Sequence, residues 1–169
     1  MNKIMVIGCC GAGKSTFSKQ LHAMTKLELI HLDQQYWKPN WVETDKNEWQ
    51  NKVQQLANKT SWIIDGNYTG TLDIRTQQAD TIIYFDYPIW KCLWRVIFRT
   101  FKYWGKERPD MPLGCKERFD IEFLHYVATF NIVKRKRILA KLETIKNEKV
   151  VKIFKTDMEA TQYLYSYNL

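Results

Sequence analysis

Apolar residues gather along this chain in five short runs, separated by longer stretches in which they recur every three or four positions. The runs are Lys3–Ile7, Leu27–Leu32, Ser61–Ile64, Thr81–Phe85 and Lys149–Phe154. Runs this short and this continuously apolar predict strands covered on both faces. The stretches between them predict helices over Thr16–Met24, Asp45–Asn58, Ile89 to about Tyr103, Glu117 to about Thr144, and Thr156–Tyr165. Local signals agree with these bounds. Thr44-Asp45-Lys46-Asn47 opens a helix with Trp49, Val53 and Leu56 on its inner face, and Pro88 suits the first turn of the long helix after it. Thr156 followed by Glu159 has the capping-box form. Asp86, just before Tyr87-Pro88, reads as a cap for that long helix. Gly105–Cys115 holds two glycines and two prolines and predicts a loop. Strands alternating with helices imply an α/β domain built on a parallel sheet. With no repeat or linker, residues 1–169 read as one domain.

The junction between the first strand and the first helix carries the clearest chemistry. Residues 8–15 read Gly-Cys-Cys-Gly-Ala-Gly-Lys-Ser, which fits G-x-x-x-x-G-K-[ST] in the strand–loop–helix setting the motif requires. Gly8, Gly11, Ala12 and Gly13 let backbone N–H groups converge on phosphate oxygens, and Thr16 continues the helix start. Lys14 reaches the β- and γ-phosphates, and the Ser15 hydroxyl is a ligand for Mg²⁺. A nucleoside triphosphate, ATP or GTP, is the expected ligand.

In an open parallel sheet, ligands lie beyond the carboxyl ends of the strands. Here those ends are the glycine loop, Asp33, Asp65 and Asp86. Asp65 is expected to hold Mg²⁺ opposite Ser15. Asp33 can orient an attacking hydroxyl or take its proton. Gly66, Asn67, Tyr68 and Arg75 are candidates to line an acceptor pocket, Arg75 because a planar fork suits phosphate or carboxylate. Trp37 and Trp41 can stack on an acceptor or simply pack at the pocket mouth. Arg95 and Arg99, at i and i+4, share one face of the long helix and can close on the phosphates as catalytic cations.

Charge sharpens the picture. The net charge is +8, and all of it falls in residues 89–169, since residues 1–88 balance nine cations with nine anions. That asymmetry fits a polyanionic small molecule under an arginine-rich cover, or nucleic acid, for which the run Lys134-Arg135-Lys136-Arg137 is the best argument. No helix-turn-helix or zinc module accompanies the run, so nucleic acid is the less favoured partner. No apolar stretch is long enough to span a bilayer. The chain begins directly with strand and loop, so the expectation is a cytoplasmic protein without a membrane partner. Cys9, Cys10, Cys92 and Cys115 lack metal-type spacing and are expected as free thiols.

These residues resemble the adenylate-kinase-like and shikimate-kinase-like small P-loop kinases. More narrowly, the chain looks like the family often labelled DNA topology modulation proteins (FlaR-related). The marks of that resemblance are Gly8–Thr16, His31-Leu32-Asp33 with Trp37-Lys38-Pro39-Asn40-Trp41, Trp62–Tyr68, Ala79-Asp80-Thr81, and Arg108-Pro109-Asp110 leading to Cys115–Phe119. The resemblance implies a three-layer P-loop NTPase fold with a five-stranded parallel sheet in the order 2-3-1-4-5. It also implies helices on both faces and a small lid at about residues 100–120. Its implied activity is transfer of the γ-phosphoryl group of ATP to a small-molecule acceptor, with Arg95 and Arg99 on ATP and Asp33 on the acceptor. The family label adds an alternative, a nucleotide-dependent DNA-binding regulator. Asp65-Gly66-Asn67-Tyr68 matches neither the Asp-Gly-Phe-Pro run of adenylate kinases nor the triple glycine of shikimate kinases, so the acceptor is not inherited from either.

Overall fold

The computed structural model describes residues 1–167. The chain opens with β1 (Lys3–Gly8), buried from Ile4 onward, and turns through the glycine loop into α1 (Lys14–Thr25). A left-handed Lys26 ends that helix, its N–H donating to the His22 carbonyl. β2 (Leu29–His31) runs straight into a one-turn helix, α2 (Leu32–Tyr36), which carries Asp33. A small hairpin follows, β3 (Trp37–Lys38) and β4 (Val42–Glu43), before α3 (Lys46–Asn58). The Asp45 carboxylate caps α3 by accepting from the N–H groups of Asn47 and Glu48. On its inner face Trp49, Val53 and Ala57 are buried, and Leu56 is half-buried.

β5 (Trp62–Asp65) leads to a short helix, α4 (Leu72–Gln78), for which the sequence carries no clear cap signal. β6 (Thr81–Phe85) is buried along its whole length and precedes α5 (Ile89–Lys102). The expected single helix over 117–144 is instead α6 (Ile121–Phe130), a π-helical turn at Asn131–Arg135, and α7 (Lys136–Ile145). Its start moves to Ile121 because Asp120 caps there, accepting from the Phe123 N–H, while Glu117 is drawn into the preceding segment and bridges to Trp104. β7 (Val150–Phe154) and α8 (Asp157–Tyr165) complete the chain. The Thr156 hydroxyl caps α8, and the Glu159 carboxylate reaches back to the Lys155 N–H.

The main sheet is parallel, in the order β2-β5-β1-β6-β7. The strand numbers differ from the expected 2-3-1-4-5 because the β3–β4 hairpin, a sheet of its own, enters the count after β2. Complete burial of β5 and β6 means that both sheet faces are covered. Phe17 from α1, Phe85 and Phe154 from the strands and Tyr163 from α8 form one aromatic cluster with ring centroids 5.2–6.4 Å apart. β1 lies at the centre, where the order of adding strands reverses, and this puts the glycine loop at the crevice where such sheets bind ligands. Among the described residues, no helix is long and apolar enough to cross a membrane.

Candidate active site

Two glycines of the loop are there for space. A Cβ on Gly8 would sit 2.7 Å from the Phe85 backbone oxygen, and one on Gly11 would collide with the Cys92 carbonyl oxygen of α5. Both also hold positive φ, +145° and +82°, which an L side chain resists. Gly13, at φ +94°, stands at the N-cap of α1, and the first turn of that helix carries no acidic side chain. Unspent N–H groups and the positive end of the helix dipole therefore face the cleft. The Lys14 ammonium folds back over the loop and donates to the Cys9 carbonyl at 3.0 Å.

The loop forms the floor of a cleft of about 430 Å³. Lys14, Ser15, Thr16, Asp33, Asp65, Gly66, Arg95 and Arg99 all line it, so groups from α1, α2, β5 and α5 meet in one cavity. Asp110 and Asp157 line it too, and nothing in the sequence assigns either of them a role at the site.

Asp65 ends β5 in register with His31 at the end of β2. Its Oδ1 is 2.8 Å from His31 Nδ1, while Oδ2 is buried with no hydrogen-bond partner. A buried carboxylate oxygen left unpaired is costly in protein and suits a cation. Asp65 with the nearby Ser15 hydroxyl therefore fits Mg²⁺, which commonly takes one or two protein oxygens and fills its shell with phosphate and water. Burial pulls the His31 imidazole downward, but the hydrogen bond and charge of Asp65 prevail and hold its pKa above 6.5. In the sequence His31 stood in an apolar strand and in the His31-Leu32-Asp33 motif, with no sign that it pairs with Asp65. Its value comes from the parallel register that sets it beside Asp65.

Asp33 accepts a hydrogen bond from the Tyr68 hydroxyl at 2.8 Å. Burial raises its pKa above the ordinary 3.8, and the Tyr68 bond opposes that only in part. Tyr68 thus acts on Asp33, and its ring packs against Tyr36 and Trp49 at 4.8 and 4.9 Å. Asn67 also faces the protein, its Oδ1 accepting from the Gly8 N–H at 3.0 Å. Neither residue is among those that line the cleft.

Arg75 is a correction. It is fully buried, away from the cleft, and its guanidinium donates to the carbonyls of Gly66 (2.8 Å), Asn67 (2.6 Å), Tyr68 (3.0 Å) and Thr71 (3.3 Å). Four of its five N–H donors are consumed by the loop between β5 and α4. Burial pushes its pKa down to about 10. It holds the loop that carries Gly66–Tyr68 and cannot reach an acceptor. For Trp37 the packing alternative fits the geometry. It lies outside the cleft and packs on Tyr36 and Trp41, at 5.0 and 5.5 Å.

Trp41 adopts φ +61° despite its bulk, and its indole donates to the Lys116 carbonyl at 2.9 Å. The Asn40 N–H donates to Gly114 O, and the Gln34 amide to Pro109 O. The aromatic hairpin is thus tied to the segment between α5 and α6.

The arginines divide. Arg95 shares Asp157 with Lys91, each 2.8 Å from Oδ2, and lies beside Gly13. Against the upward push of burial, the bonds from Lys91 and Arg95 hold the Asp157 carboxyl down to about 2. Arg99 lies 3.7 Å from Glu117, on which buried Arg108 also converges at 3.1 Å. Two guanidiniums on one carboxylate leave Arg99 Nε and Arg108 Nη1 buried without partners. Arg135, from the basic run, is held bidentately by Asp86 at 2.6 and 2.8 Å. Asp86 is therefore an ion-pair partner, and α5 begins behind Pro88 with no side-chain cap. All four cysteines are free, and no His, Cys, Asp and Glu cluster of metal-binding type occurs among the described residues.

No family model matches the chain, and no curated protein matches it. The narrower resemblance to DNA topology modulation proteins gains no support from these comparisons. Among solved structures, the chain is similar to a gluconokinase from Sinorhizobium meliloti 1021, at 14% identity and a TM-score of 0.53. The match covers 98% of this chain and 92% of that one, so the likeness is one of whole architecture. The chain shares the overall α/β fold of that gluconokinase.

Proposed function

We propose that the protein transfers the γ-phosphoryl group of ATP, or GTP, to the hydroxyl of a small acceptor. The observation that carries this reading is the convergence of Lys14, Asp33, Asp65, Arg95 and Arg99 on one cleft floored by the glycine loop. Phosphoryl transfer asks for positioned charge more than for covalent chemistry, and the cleft supplies it. The loop amides, Lys14 and Arg95 would hold the triphosphate. Ser15 and Asp65 would hold Mg²⁺, which supplies charge neutralisation between the β- and γ-phosphates when bound. Asp33, its pKa raised by burial, would orient the acceptor hydroxyl and receive its proton.

The segment from Tyr103 to Asp120 would serve as a lid. Arg99 and Arg108 already meet there on Glu117, and their unspent donors would turn to phosphate oxygens as water is excluded. With Arg75 withdrawn into the protein, the cleft sets Lys14, Arg95 and Arg99 against Asp33, Asp65, Asp110 and Asp157. A triphosphate consumes those cations, so the remaining lining favours a polyhydroxy acceptor of low charge over a second nucleotide.

The deciding experiment measures ATP consumption by the parent chain against a panel of sugars, hydroxy acids, nucleosides and nucleotides. Acceptor-dependent turnover that requires Mg²⁺ and vanishes in Lys14→Ala is the expected result. Unchanged Mg-ATP binding by Lys14→Ala would show that the loop has been misassigned.

A further inference from the structure

Viewed down its axis, α5 has three faces. Cys92, Val96 and Thr100 face the core. Lys91, Arg95 and Arg99 turn to one side, where Asp157 and Glu117 take them up. The third face carries Trp90, Trp94, Phe98 and Phe101, which are 60–72% exposed, and Trp104 extends it by stacking on Phe101 at 6.4 Å. Five large aromatic side chains in one exposed row are unusual on a protein that works alone. At about 200 Å² for a whole aromatic side chain, the row presents roughly 600 Å² of apolar surface, at the upper limit of what a monomer ordinarily exposes.

We infer that this face pairs with the same face of a second copy of the chain, forming a two-fold dimer through α5. Three observations select this occupant. The exposed area approaches the ~800 Å² per partner of a standard stable interface before any rim is counted. Trp90, Trp94 and Phe98 stand at i, i+4 and i+8, the row that interdigitates with its own kind when two helices cross at about −50°. Three of the four cations of α5, Lys91, Arg95 and Arg99, are engaged by Asp157 and Glu117, which leaves only Lys102 at the helix end for an anionic lipid surface or a nucleic acid. What remains is an aromatic ridge with one exposed cation, Lys102, at its end, and such a ridge is self-complementary in a way that an anionic partner does not require.

The pairing also reaches the cleft. Trp94 and Phe98 each precede one of the two cleft arginines, so a clamped α5 holds Arg95 and Arg99 in place.

The test is the solution mass of the full chain by light scattering after size exclusion, loaded at about 10 µM and at ten times that, where an interface of micromolar affinity is occupied. The parent is expected at about twice 20.3 kDa, and Trp94→Glu with Phe98→Glu at the single-chain mass with an unchanged circular dichroism spectrum. Should the double variant fail to fold, Trp90→Arg alone gives the same reading. A parent that stays at the single-chain mass throughout would overturn the inference, as would a double variant that keeps the doubled mass. Sedimentation of a single-chain parent with phosphatidylglycerol vesicles would overturn it in favour of a membrane surface.

Discussion

Replacing Arg75 with methionine separates a residue that holds the fold from one that touches substrate. The substitution keeps an unbranched side chain and removes the guanidinium. Four carbonyls, those of Gly66, Asn67, Tyr68 and Thr71, then lose their donor. Hydrogen bonds from a charged donor contribute about 1.5–3 kcal/mol each, so the gross loss is on the order of 6–12 kcal/mol. Part of this is returned, because the buried cation is itself unfavourable. Its pKa falls from 12.5 to about 10, and at about 1.4 kcal/mol per unit the variant recovers roughly 3 kcal/mol. Water entering the loop satisfies some of the freed carbonyls. The net expectation is a destabilisation of about 3–5 kcal/mol, the lower end of the difference once water is counted. In a domain of this size that lowers the melting temperature by on the order of 10 °C. Urea unfolding followed by tryptophan fluorescence measures it, with Trp62 as a fully buried reporter. A variant within ~0.5 kcal/mol of the parent would refute the reasoning, because that is the range of ordinary surface substitutions.

Two other expectations follow from the same geometry. Asp33→Asn should lower kcat by roughly 10²–10⁴, the usual contribution of a general base, while ATP binding measured by calorimetry persists. In the parent, the acid limb of kcat/KM should fall above 3.8 because burial raises the Asp33 carboxyl, and a limb at or below that value would remove Asp33 from the role. For His31 the folded pKa lies above 6.5, so the folded state binds the proton more tightly than the unfolded chain. The stability this contributes is complete below pH 6.5 and is lost as pH rises through the folded value. Urea midpoints at about pH 5.5 and about pH 9 should therefore differ in the parent, and His31→Gln should flatten that difference. An equal difference in both proteins would assign it to other groups.

Much of the architecture was legible along the chain. Continuous apolar runs can be satisfied only by strands covered on both sides, and the glycine loop, Asp33 and Asp65 declared themselves by standing where such strands end. Local chemistry suffices for these features because glycine tolerance, capping and burial patterns act within a few residues. Capping at Asp45 and Thr156 was readable for the same reason, and the start of α6 was not, since Glu117 is held by Arg108 and a bridge to Trp104.

The site resisted in proportion to sequence distance. An arginine ten residues after a strand reads alike whether it faces a ligand or a carbonyl, and only the packed loop turned Arg75 inward and consumed its donors. Trp37 read equally as a stacking platform or a packing residue, and its contacts with Tyr36 and Trp41 come from the folded hairpin. His31 became a partner of Asp65 through the parallel register of β2 and β5, and Arg108 met Arg99 on Glu117 through the closure of residues 103–120. The aromatic row of α5 is visible as a helical period, but its exposure depends on which of three faces the sheet covers. The sequence by itself pointed to the end of β1 as the candidate phosphate site, because a glycine loop before a helix offers unpaired N–H groups and a positive helix end to an anion. Tertiary structure decided which charged groups are free to act there, because a charge is spent or spared only by what the rest of the chain packs against it.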